Sequence, residues 1–120
     1  MTTSSATRRP ALAEALLIVL AYLGPLCIVP LLRARQDPVI RWHGRHGLVL
    51  FLADIAIVAI TLAIGGLLAF VAGGATLALF VLLEAMLLTA LLVLHGIVIA
   101  AALEGERILI PGVSHHADRF

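Results

Sequence analysis

Three ionisable residues, Asp54, Glu84 and His95, stand inside otherwise apolar runs. A charged side chain in hydrocarbon costs roughly 2.5–3.5 kcal/mol on insertion scales, so each of them asks for a partner. Glu84 and His95 are separated by about three helical turns, which puts both on one helix face. Asp54 belongs to a neighbouring apolar run, at a depth that antiparallel packing brings level with His95. The expectation is an inward-facing polar strip of Asp54, Glu84 and His95. Three chemistries fit such a strip. It can hold the register of a helix bundle through interhelical hydrogen bonds, with the acids protonated or paired. It can line a polar conduit or touch a translocating cargo. Or His95 can serve as axial ligand to a haem or chlorophyll, with Gly96 leaving room beside it. That last reading lacks a C-x-x-C-H sequence and a second membrane histidine, and no cofactor is expected.

The remaining chemistry is sparse. His43 and His46 are one helical turn apart and His115 and His116 are adjacent, a set with the donors for zinc but without a cysteine; no metal site is expected. Cys27 is the only cysteine, which excludes an internal disulfide, and its apolar surroundings read as a buried, inert thiol. The serines, Ser4, Ser5 and Ser114, are all terminal. No nucleophile–base pair, glycine-rich phosphate loop or H-E-x-x-H sequence is present. Asp54 and Glu84 should lie at different depths, so a paired-carboxylate site is not expected, and the chain reads as non-enzymatic.

The elements that must position these residues are apolar helices. Of 120 residues, 62% are apolar and 12% charged, with a mean hydropathy of +1.16. A soluble domain of this size needs far more polar surface, so the excess apolar area faces lipid. The net charge of +1 gives no footing for nucleic acid. The expected fold is an all-α integral membrane bundle of three transmembrane helices, over about 11–32, 48–72 and 75–103. A disordered tail over 1–10 precedes them and a tail over 104–120 follows. Pro10 suits a helix start and Glu14 suits the first turn. Gly24 and Pro25 predict a kink in the first span, because proline removes a helix hydrogen bond. Gly65, Ala69 and Gly73 recur at four-residue spacing, a stripe that lets helix backbones approach closely and offers a surface for self-association or for other membrane subunits. Gly73-Gly74 makes the turn into the third span.

The arginines orient this arrangement. Arg33, Arg35, Arg41 and Arg45 fall between the first two spans and Arg107 and Arg119 follow the third, against Arg8 and Arg9 at the opposite side. The positive-inside bias places the loop 33–47 and the C-terminus in the cytoplasm and the N-terminus outside. Within that loop Asp37-Pro38 is a helix-start signal, and a short interfacial helix from Val39 onward leads into the second span. Trp42 is expected at the headgroup level. Arg41 and Arg45, four apart on one face, suit lipid phosphates or an acidic partner. With Asp37, His43 and His46 they form an interfacial elbow that sets helix angle or docks a partner.

Several segments carry a family resemblance. Ala21-Tyr-Leu-Gly-Pro-Leu-Cys27, Ile28-Val-Pro-Leu-Leu32 and Gln36-Asp-Pro-Val-Ile-Arg-Trp-His43-Gly-Arg-His-Gly-Leu-Val-Leu-Phe51 resemble a prokaryotic family of small membrane proteins. That family is similar to the Tic-twenty subunit of the chloroplast import translocon and includes the magnetosome proteins MamF and MmsF. Gly44 and His46 stand where the family commonly has alanine and glutamine. Gly105-Glu106-Arg107-Ile108-Leu109-Ile110-Pro111 resembles the family's tail. The resemblance runs from about Ala21 onward. It implies three or four membrane helices and a role in translocation or in organising a specialised membrane. Together these readings give a bacterial protein of the inner or an intracytoplasmic membrane. Scaffold, assembly factor or accessory subunit is the leading role; a protein- or solute-translocation component and a cofactor-carrying accessory subunit are the alternatives.

Overall fold

The computed structural model describes residues 10–33, 36–107, 109–110, 113–117 and 119. Arg8, Arg9, Arg35 and the N-terminal tail before Pro10 lie outside the described residues. Those described form helices and turns and no strand. The helices are α1 (Leu12–Ala21), α2 (Ile28–Arg33), α3 (Pro38–Ala72), α4 (Gly74–Leu103) and α5 (Val113–Ala117), with a 3₁₀ turn over Gly24–Cys27 between α1 and α2.

The two long helices follow from their sequence. α3 opens on Asp37, whose carboxylate accepts from the backbone N–H of Val39 (2.9 Å) and Ile40 (3.3 Å), with Pro38 in the first turn. This cap satisfies donors that a helix start leaves open. The interfacial helix of the loop is therefore continuous with the second apolar run. α3 has 35 residues and α4 has 30, about 52 Å and 45 Å of helix against a hydrocarbon core of about 30 Å. Both are long and apolar enough to cross a membrane. Almost none of their most apolar stretches is buried within the chain, and Leu67, Phe70, Val71 and Leu92 are among the large side chains left outside. Gly73, at φ +87°, turns α3 directly into α4. Their face-to-face packing includes Gly65, where an added Cβ would collide with the Phe80 ring.

The stretch expected as one kinked span over 11–32 is divided instead. Gly24 adopts φ +61°, a left-handed conformation, and Pro25 cannot donate the next helix hydrogen bond. α1 ends at Ala21, and α1 and α2 pack against each other. A continuous rod would hold them apart, so the chain reverses between them: a helical hairpin replaces the kink. Neither limb has the length of a crossing helix. The hairpin lies on α3, and α1 also touches α4.

The packed core sits where the hairpin meets the first turns of α3 and the end of α4. Ile18, Ala21, Tyr22, Leu50, Val98 and Ala102 form it, and Ile110 and Val113 of the tail close over it. Ile40, His43, Gly44, Gly47 and Leu50 supply a stripe with helical spacing along α3. Gly47 is the closest approach, since a Cβ there would collide with the Ala21 carbonyl oxygen. Gly44 lies under Leu31, 3.0 Å from where a Cβ would stand.

Candidate functional site

The polar residues of the two long helices gather into two stations. At the first, His95 Nε2 of α4 is 3.2 Å from Asp54 Oδ2 of α3. His95 Nδ1 is 2.9 Å from the Leu91 carbonyl, an acceptor only, so Nδ1 carries the hydrogen. A further proton on either Nε2 or Oδ2 makes this contact a hydrogen bond. Both side chains are just under a fifth exposed. Because both ring nitrogens of His95 are engaged, axial ligation of a haem or chlorophyll would require Asp54 to move aside.

The second station is farther along the helices. Thr61 Oγ1 is 3.1 Å from Glu84 Oε1 and 3.0 Å from the Val58 carbonyl. The Thr61 hydroxyl donates to either acceptor, its one proton shared between the Glu84 carboxyl oxygen and the Val58 carbonyl. Asp54 and His95 are thus brought together, while Glu84 pairs with Thr61. Sequence reasoning passed over Thr61; its place two turns from Asp54 on the same helix was the available signal.

The interfacial residues assemble around the hairpin. Tyr22 and His43 share a buried hydrogen bond of 2.8 Å between the hydroxyl oxygen and Nδ1. Tyr22 ties the hairpin's turn to α3, and it too was not singled out from the sequence. His43 lies in the arginine-bearing turns of α3, ahead of its long apolar run. Burial there pushes its pKa down to about 4, with the Arg107 charge and then His46 adding to the effect. Trp42 stacks on His46 at 3.7 Å between ring centroids, and the Arg107 guanidinium stands 5.2 Å from the Trp42 ring. His46 Nδ1–H donates to the Trp42 carbonyl at 2.9 Å. Its Nε2 is buried without a partner among the described residues. Arg41 is exposed and Arg45 partly so. Among the described residues no three histidine, cysteine or acidic side chains cluster as metal ligands. His115 and His116 contact each other in α5.

The small-residue stripe is used inside the chain at its first position: Gly65 receives Phe80, Ala69 is half-buried, and Gly73 is the exposed turn. Gly24 and Pro25 make the hairpin's reversal rather than a bend in one helix.

Between α3 and α4 runs a groove of about 710 Å³, ended by Tyr22, Leu23 and Gly24, with Asp54 and His95 on its otherwise apolar wall. It can take an apolar guest and offers one polar contact.

Comparison with known proteins gives a partial likeness. Over 36 residues the chain is 47% identical to magnetosome protein MamF of Paramagnetospirillum magneticum, covering 30% of this chain and 32% of that protein. Over 35 residues it is 49% identical to magnetosome protein MamF of Magnetospirillum gryphiswaldense, covering 29% and 32%. The chain thus spans about a third of the length of the curated relatives it matches. This supports a relation to MamF; likeness to the Tic-twenty subunit rests on the residues quoted above. No protein-family model matches the chain. No solved structure matches it either.

Proposed function

We propose that this chain is a small, non-enzymatic integral membrane protein of the magnetosome type, acting as a scaffold, assembly factor or accessory subunit. The observation that carries this reading is the division of labour along α3. Its first turns hold the buried core and the Tyr22–His43 tie, whereas its long apolar remainder, with α4, is left for lipid. Such a molecule presents a rigid interfacial platform on a membrane-crossing hairpin. The partial likeness to MamF supports the same setting, an inner or intracytoplasmic bacterial membrane.

In this reading two helices cross the membrane, and the α1–α2 hairpin sits at the side of the arginine-bearing loop instead of making a third crossing. Arg33, Arg41, Arg45 and Arg107 then favour the cytoplasmic face for that end. The reversal at Gly24 puts Pro10 on the same side as the loop, opposite to the outside N-terminus that three crossings would give. A translocation role finds less support: the Asp54–His95 and Glu84–Thr61 stations are separate, and the groove between the helices is apolar.

Mild-detergent purification of the tagged native protein, with mass spectrometry and an absorbance spectrum, tests the reading. Stoichiometric membrane subunits or self-association are the expected result, in a colourless preparation. Haem or pigment absorbance lost in His95→Ala would overturn it in favour of the cofactor role. Protease accessibility of tags at the two ends reads the topology: both ends on one face are expected.

A further inference from the structure

The groove between α3 and α4 has a chemical demand of its own. Its wall is built from side chains such as Val58, Ala59, Leu62, Leu88 and Leu92, and the polar pair Asp54–His95 faces it. The pair is satisfied on one side only. His95 spends Nδ1–H on Leu91 and Nε2 on Asp54 Oδ2, while Asp54 Oδ1 makes no hydrogen bond among the described residues. An acceptor oxygen at membrane depth without a donor is costly, so the occupant of the groove should bring one.

The chemistry narrows the occupant. Asp54 lies nine residues past Arg45, roughly 13.5 Å along the helix, which is below the reach of phospholipid headgroup donors. Acyl chains and their ester carbonyls donate no hydrogen bond. An ammonium would bring a full charge into an otherwise apolar groove. Among the described residues a second copy of this chain brings no free hydroxyl at that depth, because Thr61 is committed to Val58 and Glu84 and Thr89 to Ala85. A hydroxyl on a long apolar body meets every requirement, and about 710 Å³ is ordinary for a small-ligand site.

We propose that this groove binds a lipid-soluble alcohol of isoprenoid size, its apolar body lying between α3 and α4 and its hydroxyl donating to Asp54 Oδ1. The proposal rests on the membrane setting given above, and its test is read in lipid nanodiscs after alkaline extraction has established independently that the protein stays in the membrane. The probe is farnesol carrying a diazirine, with crosslinks mapped by mass spectrometry. Labelling is expected on Asp54–Leu62 and Leu88–Ile99, displaced by farnesol at least about tenfold more effectively than by its methyl ether, the loss of one hydrogen bond to an acidic group. In Asp54→Leu that preference disappears while labelling remains; in Val58→Trp, which fills the groove, labelling falls to the level of the exposed Leu67–Val71 surface. Equal displacement by alcohol and ether overturns the proposal. So does labelling spread evenly along α3 and α4, or an Ala59→Cys disulfide dimer forming in place of labelling, which would make a second copy the occupant.

Discussion

Gly47→Ala places a methyl group where the Ala21 carbonyl oxygen stands. The obstacle is backbone, at the last residue of α1, so no rotamer change relieves it. The hairpin has to move off α3, and overpacking of this kind costs about 1–3 kcal/mol, with a backbone collision at the upper end. Exchanging glycine for alanine inside a helix returns about 1 kcal/mol of propensity, leaving a net loss of about 2 kcal/mol. Gly66→Ala is the matched control, because its Cβ meets nothing within 4 Å on the same helix and keeps the propensity gain. The two substitutions should therefore differ by about 3 kcal/mol, more than a hundredfold in the opening equilibrium. Hydrogen exchange in lipid nanodiscs reads this directly. Gly47→Ala should accelerate exchange across α1 and the Tyr22 turn while leaving the far halves of α3 and α4 protected. If α1 amides in the two variants exchange alike, the hairpin does not dock at Gly47 and the fold described for residues 12–33 is wrong.

The polar and small-residue contacts set further expectations. Tyr22→Phe leaves His43 Nδ1 buried without its partner and should loosen the hairpin by about 1–3 kcal/mol, seen in the same exchange experiment. Hairpin docking should also depend on pH: with the His43 pKa depressed when packed, its contribution is full above about 6.5, declines as pH falls and is lost below about 4. His43→Phe should flatten that profile; an unchanged profile would show that another group titrates. Asp54→Leu and His95→Leu should each destabilise by about 1–3 kcal/mol in detergent-denaturation midpoints, while the double variant costs less than the sum, since a lone partner is left unpaired only in the singles. Glu84→Gln should be tolerated within about 0.5 kcal/mol, because an amide oxygen accepts from the Thr61 hydroxyl as the carboxyl oxygen does, whereas Gly65→Val should push Phe80 out and separate α3 from α4 at a cost of about 1–3 kcal/mol.

What was legible in the sequence divides along the same physical line. The helices of 38–72 and 74–103 announce themselves through unbroken apolar length, the Asp37-Pro38 start and the Gly73-Gly74 turn, all local signals. The meeting of Asp54 with His95 was legible too, because antiparallel geometry fixes relative depth. The reversal at Gly24 was not. An uncharged run over 11–32 satisfies hydropathy whether it crosses the membrane or folds back, and only the sign of one glycine φ angle and the packing against Gly47 decide between them. The partner of Glu84 was not legible for a related reason: periodicity places Glu84 on the face of His95 but says nothing about Thr61 on another helix.

Histidine shows how position along the two long helices sets chemistry. His46 and His95 use one device, Nδ1–H donated to the carbonyl four residues back, which fixes the ring and aims Nε2 away from its own turn. For His95 that nitrogen meets Asp54, and the pair becomes the polar feature of an apolar groove. For His46 it meets no partner among the described residues and is sealed beneath Trp42 stacking, while His43, one turn earlier, reaches Tyr22 instead. A scaffold needs the second arrangement, rings locked by packing where the hairpin seats. A site open to small amphiphiles needs the first, a fixed polar atom in hydrocarbon with one valence for hydrogen bonding left over. The two arrangements sit on opposite ends of one core, so a change that unseats the hairpin at Gly47 should also displace the Tyr22–Gly24 turn that ends the groove. Loss of groove labelling in Gly47→Ala, with Asp54 and His95 intact, would link platform and groove in one structural unit; undiminished labelling would show that the groove is built by α3 and α4 alone.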